Sequence, residues 1–182
     1  SRDGVRDRYY ERKTQHDDAT KLYNFLPKYI KNKTIIRLHH GVLERKSYEK
    51  DDWCNKFDNI IIDDGKTKLN KLVENSRLIV FNYDSAGLLE YLGLNIPVIC
   101  FWEKGFDHLL PSAKPYYQLL KDVGIYLDNP DEVSKHISSN WDNIDKWWYS
   151  EPVQEARIKF CKRYSRVVEK PIRFFKKILT DG

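Results

Sequence analysis

The sequence predicts an α/β fold: a Rossmann-like parallel sheet with helices on both faces, followed by C-terminal helices. Three observations carry that expectation. Short apolar runs recur at Ile35-Ile36, Ile60-Ile61-Ile62, Leu78-Ile79-Val80-Phe81 and Ile96-Pro97-Val98-Ile99-Cys100-Phe101. They lack the strict polar/apolar alternation of a half-solvated strand, as strands buried on both faces do. Segments of helical periodicity lie between them, the alternation expected of a parallel sheet.

Residues 1–15 have no clear period and read as a linker or a helix end. From Asp17, the spacing of Leu22, Tyr23, Phe25, Leu26, Tyr29 and Ile30 is helical, with Asp17 and Asp18 suiting the positive end of the helix dipole and Pro27 interrupting the pattern. Residues 34–38 form a first strand running into His39-His40-Gly41, and a polar stretch with Trp53 and Phe57 follows. A second strand ends at Asp63-Asp64-Gly65, and Leu69, Leu72 and Val73 mark a short helix. The third strand, 77–81, closes in Asn82-Tyr83-Asp84-Ser85 and opens a helix over 86–94; the fourth covers 96–101. Residues 107–123 read as helical, interrupted by Pro111 and Pro115, with a short edge strand at Gly124-Ile125-Tyr126. Asn129-Pro130-Asp131-Glu132 starts a helix with acids in its first turn, and further helices cover 134–141, 151–164 and 170–179. The expected organisation is thus a core over 16–128 and a helical segment over 129–182 that packs on it.

The 182 residues are 41% hydrophobic and 32% charged, ordinary values for one soluble domain or one lobe of a larger enzyme. The chain begins at Ser1 and contains no Met, as expected of a piece of a longer translation product. No apolar run approaches the roughly 20 residues of a membrane span, and no continuous apolar core marks a signal peptide. The 32 Lys and Arg against 27 Asp and Glu leave a formal charge of +5, and the pI is near 8.9. That balance suits an anionic ligand. Acidic residues interrupt every basic stretch, which argues against nucleic acid. Cys54, Cys100 and Cys161 are odd in number and widely spaced, so neither a zinc site nor a disulfide framework is indicated, and a reducing cytoplasm is the expected compartment.

Ligands of open α/β sheets bind beyond the carboxyl ends of the strands, where four clusters stand. In Asn82-Tyr83-Asp84-Ser85-Ala86-Gly87, Ser85 either caps the helix or bonds a phosphate oxygen. The Ala86 and Gly87 amides face the same anion, Gly87 would let a ligand approach the backbone, and Glu90 follows one turn on. His39 or His40 would hold a phosphate or move a proton, with Arg37 beside them. Adjacent histidines on an extended chain point apart, which disfavours a metal. Asp63 and Asp64 read as a metal or ribose site, or as a turn and helix start. The fourth cluster is Trp102-Glu103-Lys104. Trp141, Trp147, Trp148 and Tyr149 either stack on a sugar or base or pack the tail onto the sheet. The basic residues from Arg157 to Lys170 form a solvated face or a contact for an acidic partner or anionic membrane.

Several stretches resemble a family of bacterial surface-polysaccharide sugar transferases. These are Ile62-Asp63-Asp64-Gly65, the run from Ser76 to Ser85, Leu89-Glu90, Leu94-Asn95-Ile96-Pro97-Val98-Ile99 with Phe101-Trp102, Trp141-Asp142-Asn143-Ile144 with Trp147-Trp148, and Glu151-Pro152-Val153-Gln154-Glu155-Ala156-Arg157. The resemblance implies the C-terminal, nucleotide-sugar-binding lobe of a GT-B glycosyltransferase in lipopolysaccharide or capsule assembly. Its donor would be CMP-, UDP- or GDP-linked and its acceptor a glycan or lipid-linked glycan, with no metal or other cofactor. An N-terminal lobe would face this one, and the enzyme would work in the cytoplasm or at the inner membrane face. The His39-His40 step resembles the phosphate-contacting His-Pro step of sialyl- and Kdo-transferase-like enzymes, with Gly41 in place of Pro. On this reading Ser85, Ala86 and Gly87 hold donor phosphate with His39 or His40, Glu90 holds ribose or sugar, and Asp63, Asp64 and Trp102 line the base pocket. The alternative is a non-catalytic binding module or a response-regulator-like domain, which the paired Asp63-Asp64 after a strand would suit.

Overall fold

The structure is a computed structural model that describes residues 3–38, 48–102 and 104–166. Helix α1 (Asp3–Phe25) opens the chain, so the boundary expected near residue 15 falls within one helix. Pro27, at φ −58° and ψ 149°, then takes the backbone out of the helical region before a single further turn, α2 (Lys28–Lys31). Strand β1 (Ile35–Arg37) pairs in parallel with β2 (Ile61–Asp63), Ile35 opposite Ile61 and Arg37 opposite Asp63.

Between these strands runs α3 (Tyr48–Lys56), in the stretch that reads from the sequence only as polar. Its apolar side is just Trp53 and, past the helix end, Phe57, four residues on. They meet the Tyr23 ring of α1 edge-on at 5.8 and 4.8 Å. His16 of α1 and Asp52 of α3 add a 2.6 Å contact.

Next come α4 (Leu69–Glu74), β3 (Ile79–Phe81), α5 (Ala86–Gly93), β4 (Val98–Phe101), α6 (Lys114–Asp122) and β5 (Tyr126–Leu127). Strands β3, β4 and β5 form a parallel sheet with β4 at its centre. The α/β class with parallel strands is the one the sequence predicts, and the ladders run as two sheets, β1–β2 and β3–β4–β5. Every residue of β4 is buried, which accounts for its unbroken apolar run.

One face of the larger sheet meets α1 and α7 (Pro130–Asn140) through Leu22, Leu26, Ile99, Phe101 and Val133. The other meets α5, α6, α8 (Ile144–Trp148) and α9 (Glu151–Tyr164) through Leu88, Leu92, Leu120, Trp148 and Phe160. Each such fully buried aliphatic side chain contributes roughly 1.5–3 kcal/mol. Tyr23 extends the α1 contact to Leu38 and Trp53, so one helix spans both sheets.

The helical reading of 107–123 holds only from Lys114, with Pro115 in the first turn, where its missing N–H costs nothing. Before it the chain turns through Lys104 and Gly105, at φ 70° and 53°. Asn129 caps α7: its Oδ1 accepts the Glu132 N–H at 3.0 Å and its Nδ2 donates to Glu132 Oε1 at 2.8 Å. The helix expected over 170–179 lies outside the described residues.

The C-terminal helices are clasped to the turn before β4. Asn95, at φ 58°, accepts Trp148 Nε1–H on Oδ1 at 3.0 Å, and Arg157 Nη1 donates to Leu92 O at 2.9 Å. Trp147 Nε1 donates to Val123 O at 3.0 Å, whereas Tyr149 is exposed. No described helix is long and apolar enough to cross a membrane.

Candidate functional site

Parallel pairing of Phe81 with Cys100 brings the turn after β3, residues 82–85, beside the turn after β4. The Phe81 ring lies 5.8 Å from that of Tyr91, and the charge of Arg37, at the end of β1, acts on the same Tyr91. Burial and Glu90 push that phenol's pKa up, and Arg37 opposes them.

Ser85, in extended conformation, caps α5, its Oγ accepting the Gly87 N–H at 3.1 Å. Ser85 O takes the Leu88 N–H at 3.0 Å, so of the three first-turn amides Ala86 N–H alone has no partner among the described residues. Gly87 has a packing role. A Cβ there would sit 3.2 Å from the Phe81 ring, so the missing side chain is what lets α5 settle on the strand it follows. Asn82 Nδ2 donates to Gln15 O at 2.6 Å, fixing α1 to this turn.

Asp84 is the hub of the turn. Its Oδ2 lies 3.3 Å from His108 Nε2, and its Oδ1 accepts the Tyr117 hydroxyl at 3.5 Å. Burial first and the Asp84 charge second push the Tyr117 phenol far above its ordinary pKa, so it remains a donor at any physiological pH. The indole of Trp102 stands edge-on to His108 and Tyr117 at 5.8 and 5.9 Å, and its Nε1 donates to Gly105 O at 2.7 Å. That bond, with the left-handed Lys104 and Gly105, folds the turn back so that His108 stands over Asp84.

At the end of the smaller sheet, Arg37 is ion-paired with Asp63 and donates to Thr67 O at 3.0 Å. Asp63, buried, also accepts the Gly65 and Thr67 amides at 3.3 Å each. Asp64 pairs with Lys66 at 2.6 Å, and this hydrogen bond holds its carboxyl below the usual range. A polar pocket of about 170 Å³ lies among Arg77, Asp142, Asn143, Ile144, Asp145 and Lys146; Arg77 precedes β3, so this pocket is at the amino end of the strands.

Over residues 11–179 the chain matches the LIC12162 family transferase. The chain belongs to this family. It matches no curated protein and no solved structure at a significant level.

Of the residues the sequence marked in this transferase, Asn82, Ser85, Ala86, Gly87 and Glu90 share the β3–α5 turn and the helix it opens, with Glu90 exposed. Arg37, Asp63 and Asp64 share the end of the smaller sheet. Trp102 is 6% exposed and packs inward with the core, so what it offers the edge is support for His108. His39, His40 and Glu103 lie outside the described residues. The pairing of Asp84 with His108 and Tyr117 did not emerge from the sequence, because 107–123 reads there as one helix. Gly105 and Pro111, either side of His108, were the available sign of a turn.

Proposed function

We propose that this transferase is the nucleotide-sugar-binding lobe of a GT-B glycosyltransferase, serving surface-polysaccharide assembly with a glycan or lipid-linked acceptor. The observation that carries the reading is the β3–α5 turn at the carboxyl end of β3: a Ser-capped helix N-terminus whose Ala86 amide has no partner among the described residues. Helix N-termini at the carboxyl end of a strand favour phosphate through aligned amides and the helix dipole. Ala86 N–H and Ser85 Oγ would take a donor phosphate oxygen, and Glu90, one turn on, would accept from a ribose or sugar hydroxyl. Fixed donors of this kind stabilise the charge that grows on a leaving phosphate. Arg37 adds positive potential near the edge, tempered by Asp63.

Calorimetric titration with CMP, UDP and GDP tests the reading. One of the three should bind, and Ser85→Ala should weaken it by about tenfold to a hundredfold, the value of one hydrogen bond to a charged group. Ser85→Thr, which keeps the hydroxyl and the cap, should restore most of the affinity. Absence of binding by all three nucleotides rejects it.

A further inference from the structure

The geometry points to His108 as a proton-transfer residue of this transferase, with Asp84 as its positioning residue and Tyr117 holding Asp84 in place. It rests on membership of a transferase family, and on the nucleotide-sugar reading only for what lies beside it.

Three residues from separate elements converge here: Asp84 from the turn after β3, His108 from the turn after β4, and Tyr117 from α6. The Tyr117 hydroxyl donates to Asp84 Oδ1 at 3.5 Å, which leaves Oδ2 to face His108 Nε2 at 3.3 Å. A carboxylate at Nε2 selects the tautomer that carries its proton there and leaves the Nδ1 lone pair outward. No described residue bonds Nδ1, and the imidazole is partly open to solvent. Trp102 backs the ring at 5.8 Å, so the imidazole is held from two sides and open on a third. Base, orienting carboxylate and a third group that fixes the carboxylate are the parts a general base requires. Distances of 3.3–3.5 Å suit an unliganded state, since such bonds shorten when substrate binds.

The step balances as follows. The acceptor X–H bond gives up its proton to His108 Nδ1 as X bonds the transferred group. The bond from that group to the leaving group breaks, and its electron pair departs with the leaving group. The imidazolium then returns its proton to the leaving group or to water.

The test is carbethoxylation of the full chain by diethyl pyrocarbonate at neutral pH, followed residue by residue by mass spectrometry, with and without CMP, UDP or GDP. His108 should be modified, Asp84→Asn should slow it about fivefold, the value of roughly one hydrogen bond, and Tyr117→Phe should slow it less, with circular dichroism unchanged in both. A nucleotide that shifts the Ser85 amide should shield His108. Equal modification rates in the native chain and Asp84→Asn overturn the pair, as does failure of His108 to react. Slowed modification without shielding by a nucleotide bound at Ser85 overturns the substrate-facing role. Should no nucleotide reach Ser85, the nucleotide-sugar reading fails by itself, and dependence on Asp84 still decides the pair.

Discussion

Gln154 Nε2 donates to Asn95 Oδ1 at 3.1 Å, joining the middle of α9 to the turn before β4. The same oxygen accepts Trp148 Nε1–H at 3.0 Å, and Gln154 also reaches Trp148 O at 2.8 Å and receives Arg157 Nε at 3.1 Å. Asn95, Trp148, Gln154 and Arg157, four residues within the stretches that carry the family resemblance, therefore form one polar clasp around a fully buried indole. Their role in the described structure is to hold the C-terminal helices on the sheet.

Asn95→Ala should lower stability by about 1–2 kcal/mol, because it removes the oxygen shared by Trp148 and Gln154, leaves the indole N–H only the Asn95 backbone carbonyl at 3.2 Å, and places a Cβ-bearing residue without a polar tip at φ 58°. Asn95→Gly, which relieves the backbone but not the lost acceptor, should cost less. Urea unfolding monitored by tryptophan fluorescence measures both.

The strand succession was readable because β3 and β4 are apolar runs bounded by polar turns, β3 half-buried and β4 buried throughout, and a period-free apolar run has few other homes. Ser85 was readable as a cap from its place between Asp84 and a small-residue helix start. Trp102 was not readable, since an indole after a strand looks alike whether it faces a ligand or, as here, Tyr126 at 4.8 Å. α3 was obscured because only Trp53 and Phe57 mark its inner side among charged neighbours. The edge also depends on long-range pairings, such as Asn82 with Gln15 and Asp84 with His108, which no local pattern encodes.

Gly124→Ala should destabilise the chain by about 2 kcal/mol or more, the scale of overpacking joined to backbone strain. Gly124 has φ 77°, and a Cβ there would stand 2.5 Å from His136 Cε1. The imidazole has little room to yield, with the Trp147 ring 4.7 Å away. Differential scanning calorimetry against the native chain reads the loss.

His136 predicts the sign of a pH effect. Its Nε2 is buried with no partner among the described residues, and burial lowers its pKa from the ordinary 6.5. The unfolded chain therefore binds the proton more readily than the folded one at pH values below about 6.5. Stability is full above that pH and falls as acid drives protonation of the unfolded imidazole. His136→Phe should flatten this fall between about pH 6.5 and 5, measured as the difference in urea midpoints between variant and native chain. An unchanged slope would contradict the assignment.

Asp63 does not have the freedom of a phosphoacceptor. Its carboxylate is shared among Arg37 and the Gly65 and Thr67 amides, and Asp64 is held by Lys66. Incubation with acetyl phosphate should leave both unmodified in intact-mass spectra. Asp63→Asn should cost about 1–3 kcal/mol by removing the charge from a buried carboxylate that holds Arg37 and two backbone amides. Stable acyl phosphate at either residue would favour the regulatory-module alternative.

The most direct measurement is a backbone amide NMR map of the full chain titrated with CMP, UDP and GDP. Shifts should concentrate at Asn82 and Ser85 to Gly87, extend to His108, and leave Arg77 and Asp142 to Lys146 at the far end of the strands untouched. A map centred on that amino-end pocket, or one with no shifts at Ser85 under any of the three nucleotides, would contradict a phosphate seat at the end of β3.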